Sequence, residues 1–308
     1  MTRRRSRPEN SESSENNKKD NDVKASSAET QPTLKGPVPG PYPIKSRAVA
    51  CTQSTGRCGK STTAQGLLTW LSFAGVPHIA FDADGEHRTL SRRHPEEADK
   101  FDTANNPDEF TRMMRQVDAE LPVTLIDFPG QSSRFTLSAM EKFRILEAFE
   151  QKGIRMTALI FAVDDPTAKH SAAETIRAFG DRVDYLLVEN PAYRGSADFN
   201  KTPMRRWFAE RNTPTILIPQ VLEDTMSAWE AVEKKHKKYL PLDEACRHPD
   251  LHEIQQAELQ FLRDRLLAQF EQCAERLVPD VALIKNRLPP EVARPPRQEI
   301  DPLDDPLY

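Results

Sequence analysis

From Ala48 to Thr62 the sequence reads Ala-Val-Ala-Cys-Thr-Gln-Ser-Thr-Gly-Arg-Cys-Gly-Lys-Ser-Thr: an apolar run, a small glycine-bearing loop, then the start of a helical pattern. A buried strand feeding straight into a helix is the first half of a βαβ unit, so this stretch points to an α/β sheet before anything else is considered. Successive backbone N–H groups in such a loop converge on an anion, and the helix that follows adds its positive end. Gly59-Lys60-Ser61 suits a phosphate: Lys60 neutralises β- and γ-phosphate charge, and the Ser61 hydroxyl is placed to ligate Mg²⁺. The general pattern G-x-x-x-x-G-K-[ST] is not fully met, because Ser54 stands six residues before the lysine.

The rest of the chain continues the alternation. Short β-rich apolar runs fall at Arg47–Thr52, Pro77–Phe81, Val123–Asp127, Thr157–Val163, Val183–Val188 and Thr215–Ile218. Helical patterns fall between them near Ser61–Phe73, Pro107–Ala119, Ser138–Gln151, Ala168–Phe179 and Pro203–Glu210. This predicts a mostly parallel sheet with helices on both faces, joined by right-handed crossovers. A further run, Leu251 to Leu277, places Leu259, Leu262, Leu266, Phe270, Cys273 and Leu277 near one face of a long helix that stops before Pro279, and its own domain is the expected partner.

Composition bounds the remainder. Residues 1–46 and 288–308 are rich in Pro and polar residues and poor in large apolar side chains, so both are expected to be disordered tails. Residues 47–222 form the expected α/β domain and 223–287 a helical extension. A net charge of −4 gives no global attraction to nucleic acid or anionic membrane, leaving local basic clusters at Arg3–Arg7 and Lys234–Lys238. Cys51, Cys58, Cys246 and Cys273 have neither disulfide-framework nor zinc spacing, and reduced thiols fit a cytoplasmic protein. No segment has the apolar core of a signal peptide or the length of a membrane span, so no integral membrane segment is expected.

In open parallel sheets ligands sit beyond the carboxyl ends of the strands, so those ends are read together. The first carries the phosphate loop. The second ends in Asp82-Ala-Asp84-Gly-Glu86, and the third in Asp127 followed by Phe128-Pro129-Gly130, an apolar run with a terminal aspartate that reads as a Walker B element holding Mg²⁺ through water.

Thr55-Gly56-Arg57-Cys58-Gly59-Lys60-Ser61 resembles the variant loop K-G-G-x-G-K-[ST] of the ParA/MinD family of dimeric ATPases, and the D-x-D after the second strand and the Asp-x-Pro after the third agree with that family in order and spacing. The resemblance spans roughly residues 47–222 and implies a P-loop ATPase that binds ATP and Mg²⁺. The loop from Gly56 through Arg57, Cys58, Gly59, Lys60 and Ser61 to Thr62 would wrap the triphosphate. Ser61 and Asp127 would hold the metal, Asp84 would position the attacking water, and Gly130 would offer its N–H to the γ-phosphate. Asp82 would be structural or support the metal at one remove. Asn190 would read the adenine edge, and Pro219, with Ile218 and Gln220, would supply backbone around the base.

The resemblance further implies an ATP-dependent homodimer acting on DNA or a DNA-bound protein cargo, in plasmid or DNA segregation, positioning or conjugal transfer. Lys234–Lys238 is then a candidate DNA surface. Two departures matter: Thr55 replaces the lysine that reaches across the family's dimer, and Arg57 replaces a glycine. Arg57 is the candidate substitute, as an arginine finger in cis or across a dimer; otherwise hydrolysis is slow or absent. Alternatives on the same fold are an ATP-dependent ligase or small-molecule kinase, with His87, Arg88, Arg92 and Arg93 binding an anionic acceptor, and a nucleotide-binding scaffold that does not hydrolyse. Arg57→Ala is expected to lower turnover far more than nucleotide affinity, as read by phosphate release beside a nucleotide titration; equal loss of both would reduce Arg57 to a binding role.

Overall fold

A computed structural model describes residues 43–288 except 53–55, 57, 105, 131–132, 164, 193–198 and 200. Among the described residues seven strands form one sheet: β1 (Ser46–Cys51), β2 (His78–Asp82), β3 (Ala98–Lys100), β4 (Val123–Asp127), β5 (Ile154–Ala162), β6 (Asp184–Glu189) and β7 (Thr215–Leu217). Their order is β3-β2-β4-β1-β5-β6-β7, and every pairing is parallel. The connecting helices are α1 (Lys60–Ala74), α2 (Thr89–Arg93), α3 (Pro107–Gln116), α4 (Ser133–Lys142), α5 (Ile145–Lys152), α6 (Pro166–Phe179) and α7 (Pro203–Glu210); α8 (Glu223–His236), α9 (Leu242–Ala245), α10 (Glu253–Gln272) and α11 (Ala274–Leu277) follow the last strand.

Alternation along β1 shows why the strands read as continuous apolar runs. Val49 and Cys51 enter one buried cluster, with Leu67 and Leu71 of α1, Trp229 of α8 and Leu266 and Phe270 of α10. Ala48 and Ala50 enter another on the opposite face, with Phe110 of α3, Leu146 of α5 and Phe208 of α7. Both faces of the sheet are covered, so Ala48 to Cys51 are apolar on both sides and show no apolar-polar alternation.

The expected α/β architecture is therefore present, and the differences are local. The edge strand β3 was not anticipated; three residues, two of them exposed, carry no strand pattern. The helix expected over Ser138–Gln151 is two helices, broken at Arg144, which takes a left-handed φ of 50°. Helix α8 falls within the helical extension expected over residues 223–287. Its last turn carries Lys234, Lys235 and His236, so the basic cluster sits on a helix end.

The C-terminal run lies on the sheet's own helices as expected. All six of its apolar positions are buried. His252 and Gln255 form a capping box that starts α10, and Cys273 separates α10 from α11. Close approach of α10 to α1 depends on Gly66, where an added Cβ would lie 3.0 Å from Leu266 and 3.2 Å from Phe270. Beyond α11, the N–H groups of Lys285 and Asn286 both donate to the Ala74 carbonyl, at 2.8 and 3.3 Å, and the Asn286 side chain donates to Phe73 O at 2.8 Å. No described helix is long and apolar enough to cross a membrane.

The amino ends of the strands are tied by charge. Asp184, at the start of β6, pairs with Arg47 of β1, with Arg155 of β5 at 3.2 Å and with Arg276 of α11 at 2.8 Å. Burial pushes the Asp184 carboxyl up, but the charge and hydrogen bonds of Arg47, with those of Arg155, outweigh it and leave the carboxyl below its usual range. Arg47 also donates to the Val278 and Glu275 carbonyls, at 3.3 and 2.8 Å, which joins the C-terminal helices to the central strand. Removing one partner of such a network strands buried charge, so Asp184→Ala is expected to cost about 3–5 kcal/mol in urea unfolding.

Candidate functional site

From β1 the chain moves outward to β2 and β3, returns through β4 to β1's near side, and then crosses to β5 on its far side. This reversal puts a crevice beyond the carboxyl end of β1, the place where open parallel sheets bind ligands. Cys58 and Gly59, from the loop after β1, and the first turn of α1 lie there.

Gly59 ends that loop with φ 103°. A side chain there would be strained in the backbone, and its Cβ would lie 2.4 Å from Ile218 Cδ1 and 3.2 Å from Asn190 Nδ2. Glycine is therefore required twice over. Gly59 offers no side chain to cap the first N–H groups of α1, and the helix's first turn holds no acidic residue, which leaves that end suited to an anion. Lys60 is buried at 8% exposure, with Nζ 3.9 Å from Cys58 Sγ. Cys58 is buried, Ser61 and Thr62 are half-buried, and Gly56 is exposed; Thr55 and Arg57 lie outside the described residues.

On the neighbouring strand Asp127 stands directly opposite Cys51 in the register. Burial, with Asp82 and Asp84 adding to it, pushes the Asp127 carboxyl up to about 7, while Lys60 and a hydrogen bond from the Ser61 hydroxyl act in the other direction. Its Oδ1 is buried with no hydrogen-bond partner among the described residues. A shielded carboxylate oxygen lacking a donor, on a group that already meets a serine hydroxyl, fits a hard divalent cation held by oxygen ligands.

Asp82 and Asp84 divide their work. Asp82, at the end of β2, accepts from the Asp84 N–H at 3.2 Å and from the Ser91 N–H of α2 at 2.8 Å. It joins the strand end to α2. Burial raises its carboxyl, with those N–H groups opposing. Asp84 accepts from the Glu86 and His87 N–H groups through Oδ1, both at 3.0 Å, which shapes the loop beyond β2.

Asn190 follows β6, and its Nδ2 donates to the Cys58 carbonyl at 3.3 Å while its Oδ1 accepts from the Ala192 N–H at 3.2 Å. In this arrangement its amide braces the loop beside Gly59. Ile218, bonded through its N–H to Glu189 O at 2.8 Å, packs on the same glycine, and the half-buried Pro219 follows it. Gly130 lies half-buried just past Asp127, after Phe128, whose N–H donates to Cys51 O at 3.2 Å.

The contact of Ile218 with Gly59 and the link from Asp82 to Ser91 were not read from the sequence. Neither residue type signals such a role, since one is a common strand-end apolar residue and the other an ordinary serine. Cys51, Cys58, Cys246 and Cys273 are buried thiols outside any disulfide, and burial pushes all four up, Cys246 and Cys273 to about 11, so none is poised as a nucleophile.

No family model and no curated protein matches the sequence. Solved structures with a distant likeness include the chloroplast FtsY of Physcomitrella patens, at 11% identity and a TM-score of 0.39 over 57% of this chain. This chain spans 59% of that one. Another is a nucleotide-binding protein in complex with ADP from Archaeoglobus fulgidus, at 16% identity and a TM-score of 0.38, covering 60% of this chain and 85% of that one.

The Asp127 shift has a definite sign. A carboxyl with a folded value of about 7 binds a proton that the unfolded chain releases near its ordinary value of about 4, so its contribution to stability is complete below that pH and is lost as pH rises through 7. Asp127→Asn abolishes this titration. In melting curves recorded with chelator, the variant's midpoint is expected to rise relative to the parent between about pH 5 and 8; a constant offset would contradict the assignment.

Proposed function

We propose that the chain is a P-loop nucleotide switch of ParA/MinD type, which binds ATP with Mg²⁺ and hydrolyses it to ADP and phosphate. The observation that carries this reading is the meeting of the Gly59-Lys60-Ser61 turn with Asp127 beyond two adjacent parallel strands, with a buried carboxylate oxygen left over. Amides from Gly56 to Thr62 wrap the phosphates, and Lys60 places a fixed positive charge beside them. Ser61 and Asp127 are the residues that would hold Mg²⁺, which when bound neutralises phosphate charge.

Asp84 orients the attacking water, with its loop shape set by the Glu86 and His87 N–H groups. Gly130 offers its N–H to the terminal phosphate and shifts when that phosphate leaves. Arg57 stabilises charge on the transferring oxygens in place of the missing second lysine. For Asn190 to read the base, its amide must release the Cys58 carbonyl; Pro219 contributes backbone nearby. The wider role proposed is an ATP-dependent homodimer acting on DNA or a DNA-bound protein cargo, in segregation, positioning or conjugal transfer, in the cytoplasm.

Lys60→Ala is expected to weaken ATP binding by about 10- to 100-fold, the loss of one charged contact, in a calorimetric titration. Unchanged affinity would remove the reading. Phosphate release stimulated by duplex DNA supports the wider role, whereas release that requires a small-molecule acceptor replaces it with a kinase or ligase.

A further inference from the structure

A cavity of about 450 Å³ opens beside the candidate site, between the segment His87–Arg93 and the end of α8. Two basic stretches far apart in the sequence therefore line one concavity. Five cationic side chains, Arg92, Arg93, Lys234, Lys237 and Lys238, face it with two carboxylates, Glu230 and Glu233.

The pairing within this wall is uneven. Glu233, itself buried, is taken up by Arg93, at 2.9 and 3.2 Å, and by the Leu240 N–H at 2.9 Å. Lys238 is paired with Glu244 at 2.6 Å. Arg92, Lys234 and Lys237 have no ion-pair partner among the described residues, so they and Glu230 leave a positive excess. Attraction to the carbonyl end of α8 accounts for Lys234. It does not account for Arg92, which comes from α2, or for Lys237, which holds a left-handed φ of 51° at a helix cap where glycine would be unstrained.

The donors are also oriented. Arg92 lies 5.3 Å over the Tyr239 ring and donates to its hydroxyl at 3.3 Å, while Arg93 lies 4.2 Å over Trp229. A guanidinium fork, two ammonium groups and the Thr89 hydroxyl around a space of this size suit a compact anion with several oxygens.

We propose that this cavity binds a small phosphate-bearing molecule, distinct from the nucleotide of the β1 loop. Cations converging on one concavity, rather than spread along a stripe, favour a small ligand over a nucleic-acid backbone. Occupancy reaches the candidate site through two contacts already formed: Ser91 of α2 to Asp82, and Arg93 of α2 to Gln65 of α1 at 3.2 Å. The cavity is thus placed to make the nucleotide site sensitive to a second ligand.

The test is a calorimetric titration of the full chain carrying Lys60→Ala, which removes the loop lysine as a competing phosphate contact, with inorganic pyrophosphate and separately with inorganic phosphate and a DNA duplex. One pyrophosphate site is expected, weakened about tenfold or more by adding either Arg92→Ala or Lys237→Ala, both exposed positions whose folding is checked by circular dichroism. Phosphate should bind the same site more weakly. Absence of pyrophosphate binding, affinity unmoved by both added substitutions, or preference for duplex DNA at equal salt overturns the proposal. Because Lys60→Ala reports on the loop and Arg92→Ala on the cavity, either reading can fail alone.

Discussion

The parallel ladder that sets Cys51 opposite Asp127 is the constraint on which the rest of the molecule depends. It brings the start of α1 and the end of β4 to one level, so that a lysine, a serine and an aspartate from distant parts of the chain share a water-poor corner. Without that register Asp127 would be an ordinary strand-end carboxylate. With it, the carboxyl is pressed by burial and by two further aspartates, with Lys60 and Ser61 opposing. A site whose electrostatics favour an added cation is the direct result.

Much of this was legible in the sequence because the informative residues are punctuation. Gly59 and the Lys60-Ser61 pair mark a turn into a helix, and a terminal aspartate on an apolar run marks the end of a buried strand. Strands buried on both faces are easy to find as hydrophobic runs. What the sequence concealed has physical causes. β3 is a three-residue edge strand whose identity comes from pairing with β2, not from its own side chains. The break at Arg144 adopts a left-handed turn without glycine, so no residue announces it.

In the site itself, the carboxylates and an expected division of roles were visible while their hydrogen-bond partners were not. Asp82 was read as structural or as supporting the metal at one remove and Asp84 as positioning water; what the sequence did not carry is that Asp82 joins β2 to α2 through Ser91 and that Asp84 shapes an exposed loop. Asn190 was visible as a strand-end polar residue, but its bond to the Cys58 carbonyl depends on a contact between the loop after β1 and the end of β6 that only the tertiary fold supplies. The basic stretches were read separately, His87 to Arg93 as a candidate anion binder and Lys234–Lys238 as a candidate DNA surface, and it is the packing of α8 beside α2 that makes them one wall.

The helix that begins at the cradle is gripped at its opposite end by the segment preceding residue 288, where two backbone amides and an asparagine side chain close on Ala74 and Phe73. Gly66 seats α10 along the middle of the same rod. The helix whose first turn opens the cradle is thus fixed at its far end by Lys285 and Asn286 and along its middle by α10, so its orientation is set by residues that follow the sheet in sequence.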